Sequence, residues 1–380
     1  MTSELAPFGW AAFGRAVRFE LAREPSRVRT LLRAAGRLLH LGVLDLGLAA
    51  DALLLPERGR GELTAGPLFI LGHQRTGTTA LHRLLVTDPR LSAPRLHELV
   101  FPATSVQREF ARVAAIDEAA GGLLQRTNAA VQQRLFGPLD DLHRLRLDAV
   151  EEDEIALWAV FASVMCANGT PALAASATLD DLRHVDRWPR ARVDAVFSYY
   201  RAVLERHAAR VTSRTGRPPI VVAKNPAFTH KVPQLLATFP DARFVFCDRD
   251  PVEAIASRLR LVDAIWRRRR PGFSGMAAPQ VETLVADSVR TFRAAARWAR
   301  ELPRERRIIA RLDELERAPA AVVGAILGDL LGLGAPSPEL AAACGVARPS
   351  RPRGRYDLGA FGLDADALRA RLGDVELPDA

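Results

Sequence analysis

The stretch LFILGHQRTGTTALHRLL, residues 68–85, places Gly72 and Gly77 five apart, behind a short apolar run and ahead of a helical one. This is the layout of a phosphate-binding loop, in which glycines let the backbone approach an anion and the N–H groups of a helix start point at it. The residue after Gly77 is Thr78, where the loop of a nucleoside triphosphatase carries lysine. Arg75 restores positive charge from within the loop as a planar fork, and Thr78 and Thr79 add hydroxyls. Asp248 and Asp250 flank Arg249, an awkward arrangement for holding magnesium, so the loop reads as built for an anion handled without a metal, and no metal ligands are assigned.

Two further features carry chemistry. Of 53 basic residues only Lys224 and Lys231 are lysines, so a compact ammonium stands at these positions where arginine is otherwise the default. Lys224 closes the apolar run IVVAK, whereas Lys231 reads as part of a solvated helix. Arg249 and Ser257 lie eight apart, a spacing that lets a strand-end arginine and a serine about two helical turns on face one anion.

These residues need strand ends to position them. Four buried strands are expected, at 67–72, 220–224, 243–251 and 307–312, with helices between them, including ones near 228–238, 280–301 and after 318. Alternating strands and helices imply an α/β fold: a parallel sheet with helices on both faces, of the P-loop-containing nucleotide-binding type. The charged clusters HQRTGTT, KNP and DRDP each follow a strand, so they converge on one crevice beyond the carboxyl ends. A helical extension over 1–64 precedes a main domain over 65–380, and 100–214 is a mostly helical insertion.

Charge and composition exclude some classes. The net charge of +9 favours anionic ligands, but no aromatic-basic motif supports nucleic-acid binding. Three widely spaced cysteines suggest no disulfide framework or zinc site. No apolar run is long enough to span a bilayer, so a cytoplasmic chain is expected, with peripheral membrane contact left open by the run Arg267–Arg268–Arg269–Arg270.

The loop resembles the phosphosulfate-binding loop of the sulfotransferases, R-[ST]-G-T-T, and DRDPVEAIAS, 248–257, resembles that family's second signature. DPRLSAPRLHEL, AKNPAFTHKVPQLLATFPDARFVF and PRGRYDLGAFGLD are similar to the bacterial branch, so the resemblance runs in order from about residue 65 to 372. It implies 3′-phosphoadenosine-5′-phosphosulfate (PAPS) as the sulfuryl donor. It also implies that Gly72, Arg75, Thr76, Gly77, Thr78 and Thr79 hold the phosphosulfate, and that Arg249, Ser257, Arg353 and Gly354 hold the 3′-phosphate. Lys224 and Arg75 would serve the transferred group, with Glu98 as the first choice of base and His97 as the second. Adjacent side chains of an extended segment point opposite ways, so one of the two faces the site. EEDEIALW, 151–158, reads as an acidic helix start, and with His143 it also resembles an acidic helix beside the acceptor pocket. One departure is Leu312, where the family carries tyrosine after the fourth strand. The implied acceptor is a hydroxyl of a small molecule or glycolipid. The alternatives are a catalytically silent nucleotide-binding protein and an ATP-dependent P-loop kinase.

Overall fold

The computed structural model describes residues 6–23, 26–55, 63, 65–136, 146–167, 180–269, 272–346 and 357–378. Five strands form one parallel sheet: β1 Leu68–Gly72, β2 Leu91–Ser92, β3 Ile220–Lys224, β4 Arg243–Asp248 and β5 Arg307–Arg311, in the spatial order β2-β3-β1-β4-β5. β1 is central, with Leu68 opposite Val222 of β3 and Arg243 of β4, and every one of its residues is buried. An apolar run without alternation is what a parallel strand covered on both faces requires. The four strands expected from sequence are present, and β2 is an addition: two residues at the sheet edge are too few to leave a periodic signal.

Side chains alternate between the two buried faces along β1. Leu68 and Ile70 face a core shared with Leu81 and Leu85 of the helix Thr78–Leu85, with Val245 of β4 and with Leu327. Phe69 turns to the other face, where its ring stacks at 5.8 Å on Phe244, which in turn stacks on Phe246. The helix expected near 228 instead begins as a tight 3-10 turn, Pro226–His230, followed by Val232–Thr238. Asn225 caps that turn by accepting from the Ala227 N–H at 3.0 Å, so its side chain is taken up locally.

Contacts divide the chain into two compact units. One contains Leu63–Ala93, Pro219–Asp263 and Ser274–Ala380, which include the whole sheet. The other gathers Met1–Glu62, Pro94–Pro218 and Ala264–Phe273, so the N-terminal helices Trp10–Arg23 and Arg27–Leu54 share a unit with the helical insertion. Arg37 stacks over Trp158 at 3.7 Å, and Phe13 meets Phe161 edge-on at 5.3 Å, tying the two segments of that unit together.

The carboxyl end of β1 packs closely against β4. Gly72 has φ +125°, and a Cβ there would stand 2.5 Å from the carbonyl oxygen of Cys247. The Thr229 hydroxyl accepts from the Gly72 N–H at 2.9 Å and donates to the Gly72 carbonyl at 2.8 Å. Gly72→Ala is therefore expected to cost about 3 kcal/mol or more, read as a fall in the urea midpoint with an unchanged m-value.

Candidate functional site

The loop after β1 is shaped by three left-handed residues: Gly72, Arg75 at φ 73° and Gly77 at φ 92°. A side chain at Gly77 would strike Leu312 Cδ1 at 2.7 Å, so the leucine that replaces the family tyrosine packs under the loop. Thr76 is buried and donates its hydroxyl to the His73 carbonyl at 2.7 Å, which closes the turn from inside. The helix Thr78–Leu85 starts at Gly77 without a side-chain cap, an arrangement whose first N–H groups are suited to an anion.

Cationic groups collect around this start. Lys224, only 1% exposed at the end of β3, places Nζ 3.2 Å from Thr79 Oγ1. Arg75 Nε donates to Ser257 Oγ at 3.1 Å, while Arg249 Nη1 donates to the Arg75 carbonyl at 3.0 Å and Nη2 pairs with Glu253 at 2.9 Å. The loop, the end of β4 and the helix Pro251–Arg269 thus bring Arg249 and Ser257, which sequence spacing had paired, together with Arg75 of the loop. Asp250 accepts from the Glu253 N–H at 2.8 Å as a helix cap, and Asp248 pairs with Arg311 at 3.4 Å. Arg353 and Gly354 lie outside the described residues, as does His143.

A buried network behind the loop was not legible in sequence. His73 Nε2 lies 3.0 Å from Ser288 Oγ and its ring stacks on Phe292 at 4.5 Å. Ser288 also accepts from Arg258 Nη1 at 2.8 Å, and Arg258 Nη2 reaches Asp287 at 2.7 Å. Burial lowers His73 to about 3, with the Arg258 charge adding to the effect. His82, beside Lys224, and His230 are lowered to about 3 as well, again mainly by burial. Sequence pattern gives no hint of this network, because its members pair across large separations along the chain. Lys231 is buried too, its ammonium 4.8 Å from the centre of the Phe228 ring, in place of the expected solvated position.

The unit that holds the insertion places Glu98 and His97 at the helix Leu96–Val100. Glu98 is fully engaged: Oε2 accepts from the Arg95 N–H at 2.8 Å and lies 3.0 Å from His207 Nδ1, while Oε1 accepts from Arg210 at 2.9 and 3.1 Å. These donors outweigh the cost of burial and hold its carboxyl well below the usual carboxylate range. A carboxylate so held is a poor proton acceptor. His97 differs. Gln107 donates Nε2–H to the carbonyls of Phe101 and His97, so its Oε1 must accept from His97 Nδ1, 2.7 Å away. That contact fixes the tautomer and leaves the lone pair on Nε2, and burial lowers the ring below its ordinary value of 6.5. The acids of 151–158 do open a helix, Glu154–Ala159, with Asp153 at its N-cap, but Glu151, Asp153 and Glu154 are buried and the Tyr200 hydroxyl donates to Asp153.

The sulfotransferase family model matches residues 67–334, and the chain belongs to that family. Among characterised relatives, the omega-hydroxy-beta-dihydromenaquinone-9 sulfotransferase Stf3 of Mycobacterium bovis is 28% identical over 231 residues, and the Mycobacterium tuberculosis protein of the same name matches equally. The matched region is 58% of this chain and 52% of the relative, so the chain spans about half the length of the curated relatives it matches. In fold it is similar to the sulfotransferase STF9 of Mycobacterium avium, with a TM-score of 0.72 at 18% identity over 97% of this chain and 93% of that one. It is also similar to STF1 of M. tuberculosis H37Rv, with a TM-score of 0.66 at 20% identity over 95% and 92%.

Two stability predictions follow from these contacts. Glu98→Ala leaves Arg210 and His207 facing a void and should cost about 3–5 kcal/mol in denaturant unfolding. Because the folded carboxyl is depressed, this contribution is complete above the ordinary value of 4.5 and is lost as pH falls below it. His73, His82 and His230 are neutral when folded and take up protons on unfolding, so their contribution is present above 6.5 and is lost as pH falls towards 3. Melting temperature measured from pH 7.5 to 4 should fall with a slope of up to three protons, and a flat profile would show that these rings are solvated.

Proposed function

We propose that this chain is a PAPS-dependent sulfotransferase that sulfates a hydroxyl on an apolar, lipid-like acceptor without a metal. The observation that carries this reading is the buried Lys224 held against Thr79 at the uncapped start of the helix Thr78–Leu85. It returns, from β3, the ammonium that the loop itself lacks. When bound, PAPS supplies a sulfuryl group joined to a phosphate leaving group. The loop N–H groups and Arg75 would bind its phosphosulfate, and Ser257 and Arg249 its 3′-phosphate. Lys224 would stabilise charge on the bridging oxygen as the bond to sulfur breaks, a preorganised electrostatic role. We assign the base to His97, whose Nε2 lone pair suits it to take the acceptor hydroxyl proton, and give Glu98 the task of anchoring the helix that carries His97. The menaquinone named for the Mycobacterium relatives supports an acceptor with a long apolar body.

Adenosine 3′,5′-bisphosphate at ~100 times its dissociation constant should raise stability by about 2.7 kcal/mol without magnesium. Arg249→Ala should abolish the accompanying thermal shift, whereas stabilisation by ATP only with magnesium would favour the kinase reading. Lys224→Met should retain nucleotide binding and lower kcat by about 100-fold or more. His97→Asn should lower kcat while sparing the thermal shift. The wild-type acid limb should fall below pH 6.5, since activity is lost as His97 protonates. A wild-type rate in the Asn variant would remove His97 as the base.

A further inference from the structure

The helix Arg27–Leu54 has 28 residues and is therefore about 42 Å long. One of its sides packs inward through Leu41, Leu44 and Leu48. The other carries Val28, Leu32, Leu39, Leu46 and Leu53, which are 68% to 81% exposed. Leu31, Leu38, Val43 and Leu54 widen this stripe on both flanks and are exposed as well. At 3.6 residues per turn the apolar sector covers roughly 160° and contains no polar or charged side chain, only leucine, valine, alanine and glycine. Solvent-facing helix surfaces ordinarily carry charge, so a sector of this size marks a surface that meets something apolar.

Width and charge indicate what it meets. A two-helix seam uses a narrower stripe, and in such a pairing Leu31 and Leu38 on one flank and Val43 and Leu54 on the other would stay in water. A bilayer covers the whole sector. From Arg27 to Leu44 there is no acidic residue, while Arg27 and Arg29 are exposed at the borders of the apolar sector. The apolar character continues in the same unit on the helix Thr104–Ala119, whose start is capped by Asp51 through the Thr104 N–H at 2.6 Å and which exposes Val113 and Ile116. No helix among the described residues is long and apolar enough to cross a membrane. A long apolar face with an arginine border and no spanning segment is the pattern of an interfacial helix.

We propose that Arg27–Leu54 is a docking face that lies in the headgroup layer of an anionic bilayer, with its leucine side towards the acyl chains. The proposal is independent of the donor and acceptor assigned above. It is tested by flotation of the full chain with vesicles of phosphatidylcholine alone or with one-third phosphatidylglycerol. The chain should float with the anionic vesicles and less so at raised ionic strength, and the double substitution Leu39→Glu with Leu46→Glu should lower the partition coefficient by at least about tenfold. Both positions are exposed, so the variant should keep the wild-type circular dichroism and the thermal shift with adenosine 3′,5′-bisphosphate, which separates loss of docking from loss of fold or of the nucleotide site. Failure of the wild type to float, or equal flotation of the double variant, would overturn the proposal. So would a dimer in sedimentation velocity that the double variant converts to a monomer without any vesicle binding, since a second copy would then cover the face.

Discussion

The carboxyl end of β1 is a point of little freedom on which the loop and its neighbours depend. Gly72 lies against the backbone of Cys247 so closely that no side chain fits, and its own N–H and carbonyl are both taken by the Thr229 hydroxyl. Because β1 is hydrogen-bonded on both edges and covered on both faces, this point is fixed relative to the ends of β3 and β4. Lys224, the loop with Arg75, and Arg249 all leave the sheet within a few residues of it. Their mutual distances are consequences of strand register and not of loop preference. A site built this way needs little from the loop itself beyond its three left-handed residues.

The residues proposed for the donor and those proposed for the base rest on different supports. On the sheet side, cations are gathered around a helix start, and the neutral rings of His73 and His82 fill the space behind without adding charge. On the insertion side, Glu98 is taken up by structure: it caps the start of its own helix, and it meets Arg210 and His207 of the long helix Arg190–Thr215. Its neighbour His97 is left with one ring nitrogen set by Gln107 and the other oriented as an acceptor. The sequence put Glu98 first and His97 second as the base, whereas their hydrogen bonds support the proposed reversal of that order.

What the sequence made legible was local. Continuous apolar runs such as LFILG and IVVAK announce strands buried on both faces, and the glycine spacing announces the turn that follows. The rarity of lysine pointed to Lys224, and the eight-residue spacing of Arg249 and Ser257 survived as a real neighbourhood with Arg75. What stayed hidden depends on partners far along the chain. Glu98 meets residues 109 and 112 positions away, and His73 meets Ser288 at a separation of 215. No periodicity reports such pairings, and the acids at 151–158, legible as a helix start, gave no sign that they are buried.

The arginine-rich composition has one more effect. The chain's two lysines are Lys224 and Lys231, and both are buried, while the remaining basic side chains are arginines. The folded surface therefore offers side-chain guanidinium groups but no side-chain primary amine. Reagents that acylate or reductively alkylate amines have, apart from the α-amino group, only these two interior targets. Amine chemistry on this protein becomes a reporter of opening: modification at Lys224 requires either exposure of the end of β3 or a reagent small enough to enter where the donor's sulfuryl group is proposed to sit.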